Sequence, residues 1–150
     1  MTPRALIPSI LGLAMLVAGG CNTKTYNFSV AVKNESSEPV MVGFAKDGPP
    51  FENNWATPEQ VARMMPRPDE RGWGIPVAPG KVAEVENEKA QLERSTTAYL
   101  RVYATAPSLD SMLAISSGSP NRLDIPLRPG ENKIVVTREG GQLKFQRLNP

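Results

Sequence analysis

The stretch that comes nearest to a chemical motif is Gly74-Ile75-Pro76-Val77-Ala78-Pro79-Gly80-Lys81-Val82, which has the outline of a phosphate loop. Such a loop needs four residues between its glycines, a Lys, and then a Ser or Thr for magnesium. Here five residues separate the glycines, and Val82 stands where the hydroxyl should be. Pro76 and Pro79 also lack the N–H groups that would hold a phosphate. The spacing predicts a β-turn at Pro79-Gly80 instead. Other chemistries fail on residue type. The chain has no histidine, which removes Ser-His and Cys-His nucleophile systems and, with a single cysteine, the ordinary zinc ligand sets. No Gly-x-Ser-x-Gly, no Ser with Lys three residues on, and no calcium-loop pattern occurs. Scattered carboxylates remain, and a carboxylate-based hydrolase would need two of them about 5–5.5 or 6.5–9.5 Å apart in a cleft. No metal and no dissociable cofactor are expected.

Residues 47–80 are the candidate binding surface. They interrupt the strand pattern for longer than the roughly 12–15 residues beyond which a loop is usually functional or disordered. They hold Phe51 and both tryptophans, Trp55 and Trp73. Aromatic faces on a loop bind sugar or peptide; the plainer account is that the tryptophans pin the insertion to the domain. Arg63, Arg67 and Arg71 recur every four residues beside Asp69 and Glu70. They suit anionic headgroups or a peptidoglycan carboxylate, or else form a solvated face whose ion pairs contribute little.

The only thiol, Cys21, stands where an apolar N-terminal stretch ends. Arg4 is the one charge before it, Ala5 to Ala18 carry none, and Gly19-Gly20 precede the cysteine. A positive start, a short apolar run and a small-residue site describe an export signal. The run is too short for the ~20 residues of a membrane-spanning helix. Val17-Ala18-Gly19-Gly20-Cys21 resembles the lipobox of bacterial lipoproteins, with Ala18 where Leu is commonest. The resemblance implies diacylglycerol on the Cys21 thiol, removal of residues 1–20 and a membrane-anchored chain. It also implies the outer membrane, periplasmic face, because Asn22 replaces the Asp that signals inner-membrane retention. Once acylated, Cys21 is neither nucleophile nor ligand.

Loss of residues 1–20 removes Arg4 from 17 basic side chains against 15 acidic ones. That near-balance, without clustered positive charge, excludes nucleic acid as a partner. Fifteen prolines and short apolar runs favour a loop-rich all-β domain.

The elements that must position these residues follow from periodicity. Tyr26, Phe28, Val30 and Val32 alternate with polar or small residues, a half-buried strand. After the turn cluster at 34–39, Val40, Val42 and Phe44 alternate again, and the two runs read as a β-hairpin over 26–46. Thr57-Pro58-Glu59-Gln60 is a capping box, predicting a helix over 58–65 that ends at Pro66 and docks Val61, Met64 and Met65. Further strands are expected at 81–88, at 96–105 as a central strand with bulk on both faces, at 112–116 and at 122–127. Residues 133–138 and 142–148 should pair across Glu139-Gly140-Gly141. Eight or nine short strands and one minor helix describe a single β-sandwich, immunoglobulin-like in architecture, with Greek-key connections. The expected organisation is a signal peptide over 1–20, a lipidated tether over 21–25 and the sandwich over 26–150.

The function expected is non-catalytic: a structural, assembly or protein-binding role for an envelope lipoprotein. The alternative is a module that binds envelope polysaccharide or peptidoglycan through 47–80; a carboxylate-based hydrolase comes third.

Overall fold

A computed structural model describes residues 22–64, 73–104 and 108–149. The signal segment, Cys21, Met65, Arg67 and Arg71 lie outside the described residues. Among those described, eight strands form two four-stranded sheets. The strands are β1 Lys24–Asn34, β2 Val40–Lys46, β3 Ile75–Val77, β4 Val82–Leu92, β5 Ala98–Ala104, β6 Arg122–Pro126, β7 Gly130–Glu139 and β8 Gln142–Arg147. One sheet has the order β4-β1-β7-β8 and the other β3-β2-β5-β6. The chain is thus an all-β single sandwich. Its β1 lies parallel to β7, Phe28 opposite Gly130 and Asn34 opposite Val136.

The core lies between the sheets. Phe28, Val30 and Val32 enter it from β1; Val40 and Val42 enter from β2, and Leu100 and Val102 from β5. Each such side chain contributes about 1.5–3 kcal/mol when fully buried. The expected hairpin over 26–46 does not form: β1 pairs with β4 and β7, and β2 pairs with β3 and β5. Alternation says which face is buried, not which strand lies alongside. Both runs face one core, from opposite sheets.

The sheet-to-sheet corner is built on Asn34, which is 0% exposed. Its amide nitrogen donates to the carbonyls of Glu38 and Val77, both at 2.8 Å. Its side-chain oxygen accepts from the Ser36 amide at 2.9 Å and the Ser36 hydroxyl at 2.7 Å. Its own N–H and C=O reach Lys81 and Gly80. The Pro79-Gly80 turn forms as expected: the Lys81 N–H donates to the Ala78 carbonyl, and Gly80 takes φ 73°, as a type II turn requires.

Three elements differ from the periodicity. Residues 112–116 are not a strand. Helix α2, Leu109–Leu113, occupies this region, with the Ser108 hydroxyl accepting from the Ser111 amide. Leu109 and Met112, three apart, face inward, a helical signal that the continuous apolar run hid. Strand β3 is an edge strand that its own proline masked; an edge tolerates Pro76 because no donor is needed on the open side. Strand β4 runs to Leu92, with a bulge where the pairing jumps from Phe28–Glu88 to Val30–Val85. At the bulge Asn87 takes φ 57° and its N–H donates to the Ser29 hydroxyl. Strand β5 is central as expected, between β2 and β6. The β7–β8 hairpin also forms, with Glu139 paired to Gln142 around Gly140-Gly141.

Candidate functional site

Residues 47–64 and Trp73-Gly74 fold back on the sandwich as a partial third layer over the β3-β2-β5-β6 sheet. Helix α1, Pro58–Met64, starts on the capping box read from the sequence. Thr57 Oγ1 accepts from the Gln60 amide at 3.2 Å and Gln60 Oε1 from the Thr57 amide at 2.8 Å. Val61 and Ala62 pack with Trp73, Tyr103, Leu109 and Met112. Met64 does not dock as expected; it is exposed at the last turn.

Both tryptophans are pins. Trp55, 1% exposed, closes one end of the core with its ring centroid 5.2 Å from that of Phe28 and 5.0 Å from that of Phe44. Its Nε1 donates to the Lys89 carbonyl at 2.8 Å, bridging to the other sheet. Trp73, 6% exposed, lies on the outer face of β2 against Tyr103, ring centroids 5.5 Å apart, and donates to the Ala56 carbonyl at 2.9 Å. Neither offers a ring to a ligand, so the expected aromatic platform reduces to Phe51, which is 75% exposed. Arg63 is exposed in the last turn of α1.

The outward residues of β5 build a charged cluster that no motif announced. Arg101 is buried. Its Nε donates to Asp124 at 2.8 Å, one terminal nitrogen to Glu59 at 3.0 Å and the other to the Tyr99 hydroxyl at 3.2 Å. Arg122 also bonds Asp124, at 3.0 Å. The buried Tyr103 hydroxyl has no hydrogen-bond partner among the described residues. Burial alone would raise the Asp124 carboxyl, but hydrogen bonds and charge from Arg122 and Arg101 outweigh it and hold it below the ordinary value. For Glu59 burial is likewise outweighed, by backbone hydrogen bonding, the Thr57 hydroxyl and both arginines. Burial raises Tyr99 and Tyr103. Two acids held ionised by two arginines form a clamp joining α1 to β5 and β6. A glycosidase acid needs the reverse, a carboxyl kept protonated by its surroundings. The clue in the sequence was an arginine between two tyrosines on a central strand.

A second buried cation, Lys46 at the end of β2, bonds Glu52 and the Gln91 carbonyl. Glu52 also accepts from the Gln91 amide at 3.0 Å. These bonds fasten the loop carrying Phe51 to the end of β4, beside the point where β1 enters at Lys24 opposite Leu92. No group of three His, Cys, Asp or Glu side chains among the described residues could hold a metal.

No protein-family model, curated protein or solved structure matches this chain.

Proposed function

We propose that the chain is a lipid-anchored envelope protein whose β-sandwich works without catalysis, in a structural, assembly or protein-binding role close to the bilayer. The observation that carries this reading is the tether. Strand β1 begins at Lys24, so only Asn22 and Thr23 separate it from Cys21. Three residue steps reach at most about 11 Å at ~3.3–3.6 Å each, so an acylated Cys21 holds the domain against the headgroups. A partner must come to it, and one on an opposite membrane must itself be long. The described part of the insertion packs on the outer face of one sheet. Among the described residues the outer face of the other sheet stays open, with a shallow groove of about 160 Å³ lined by Ser29, Ala31, Glu84, Glu131 and Lys133. That polar face is the surface we assign to a protein partner. The polysaccharide reading depended on the faces of Trp55 and Trp73, which are packed inside.

Fractionation of Cys21→Ser tests the anchor. The variant should leave the membrane pellet after a high-salt wash while the parent protein stays. Full retention of the variant contradicts the reading. Outer-membrane residence is expected for the parent, and co-fractionation with inner-membrane markers contradicts that part.

A further inference from the structure

We propose that copies of this chain join side by side, the open edge of β8 in one copy adding in parallel to the open edge of β4 in the next. The pairing stands on the strand register. That it forms a row along one bilayer rests on the lipid-anchor reading of Cys21.

Strands β4 and β8 are the two edges of one sheet. Toward Leu92, β4 is closed by the insertion: the Lys89 carbonyl accepts from Trp55 Nε1, and the Gln91 amide and carbonyl engage Glu52 and Lys46. Its other half is bare among the described residues. The Asn34 N–H donates to the Lys81 carbonyl, so the alternate residues Val82 and Glu84 turn their N–H and C=O groups away from β1. On β8 the Leu148 N–H reaches back to Lys133 of β7, whereas the Leu143 N–H points outward, to the Pro120 carbonyl. Phe145 and Arg147 share the outward phase of Leu143, and nothing among the described residues takes up their outward backbone groups. Val82, Phe145 and Leu148, 51%, 39% and 60% exposed, mark these bare stretches. Bare edges are templates for strand pairing.

The two stretches lie level. One row across the sheet runs Arg147, Ile134, Val32, Ala83; the next runs Gln146, Val135, Lys33, Val82. A copy set alongside in the same orientation therefore puts Arg147 opposite Ala83 and Gln146 opposite Val82. Both β4 and β8 run opposite to β1 and β7, which are parallel to each other, so the new contact is parallel. In a parallel ladder the outward groups of one strand fall between those of the other. Arg147 falls between Val82 and Glu84. Its N–H meets the Val82 carbonyl and its C=O the Glu84 N–H, while the Phe145 C=O takes the Val82 N–H. Core-facing side chains stay on the core face and outward ones on the outer face.

Charge and the tether select this pairing over a two-fold one. Pairing β8 with β8, or β4 with β4, sets Lys144 and Arg147, or Glu84 and Glu86, beside their own copies. Glu84 and Glu86 form no ion pair among the described residues, although Lys81 and Lys89 flank them. Arg147 bonds only neutral groups, the Asn132 side chain and the Pro126 carbonyl, and Lys144 pairs with Glu139 at the surface. Joining unlike edges brings the basic one to the acidic one. Two-fold pairing also puts the two tethers at opposite ends of strands about 36 Å long, whereas parallel addition keeps every tether on one side. Such a head-to-tail contact does not close, so it builds rows. So short a ladder needs the effective concentration that anchoring to one bilayer supplies.

Acylation consumes the Cys21 thiol, so Gln146→Cys and Val82→Cys each carry one free thiol in the mature protein. The two full-length acylated variants, carrying different tags, would be mixed on phosphatidylcholine–phosphatidylglycerol vesicles and oxidised with copper phenanthroline. Between neighbours the two positions stand roughly 5 Å apart, within disulfide reach; within one copy they lie on opposite edges, about 14 Å apart. Expected are 146-to-82 disulfide dimers several-fold in excess of either like-with-like dimer, with parent-like melting of both variants. A chain carrying both substitutions should give a ladder of higher multimers, and Glu84→Lys should reduce the yield several-fold. Equal yields of the three dimers, a predominance of either like-with-like dimer, or no crosslink overturns the pairing and leaves the anchor standing if the proteins float with the vesicles. Failure to float overturns the anchor, and the same mixture oxidised in concentrated solution then decides the pairing by the same ratio.

Discussion

The indole of Trp73 occupies the space that a side chain at Gly43 would need. A Cβ on Gly43 would stand 2.5 Å from Cζ2 of that ring. The insertion sits on β2 because β2 has no side chain there, and the second apolar cluster, Trp73 with Tyr103, Leu109 and Met112, assembles around that contact.

Gly43→Ala should therefore push Trp73 off the sheet. The ring is rigid and held by its bond to the Ala56 carbonyl, so overpacking of about 1–3 kcal/mol is expected. A lowered denaturation midpoint with altered tryptophan emission checks this. A variant that melts like the parent contradicts the packing.

Asn34→Ala should be among the most damaging polar substitutions. It strands the Val77 carbonyl and the Ser36 amide at a buried corner, while the Glu38 carbonyl keeps the Ser36 hydroxyl. Each unsatisfied group costs ~1–3 kcal/mol, so a large fall in the unfolding midpoint is expected, with no change in oligomeric state.

The charged clamp gives stability an acid limit. Glu59 and Asp124 titrate lower in the folded chain than free carboxylates do. Their stabilisation is fully present above the unfolded-state values, about 4, and is lost as pH falls through the folded-state values. Melting temperature should fall on acidification through that window, and Asp124→Asn should make the fall shallower. An unchanged acid limb in the variant contradicts the clamp.

Thr57→Ala tests the start of α1. Loss of the cap should cost about 0.5–2 kcal/mol, without the change in tryptophan environment expected for Gly43→Ala. Equal stability of variant and parent, measured by denaturant titration, contradicts the capping role.

Much of the sandwich was legible because each half-buried strand shows period-2 alternation: Phe28, Val30 and Val32 in β1, and Val40, Val42 and Phe44 in β2. Pairing was not legible, since the β1–β2 corner depends on one buried asparagine whose role only the fold reveals. Helix α1 was readable from its capping box. Helix α2 was not, because Met112-Leu113-Ala114-Ile115 is a short apolar run with no decisive period. Strand β3 is three residues long, one of them proline. Trp55 and Trp73 could be singled out but not placed, since an aromatic in a loop reads the same whether it faces a ligand or the core. The Arg101 clamp joins residues 59, 101 and 124, a separation no local pattern encodes.

The central claim is the anchored Cys21, and intact mass spectrometry of the purified full-length gene product tests it most directly. The account predicts a chain beginning at residue 21, with a diacylglyceryl thioether on the cysteine and no free thiol. A chain that retains residues 1–20, or begins elsewhere with Cys21 unmodified, would contradict it.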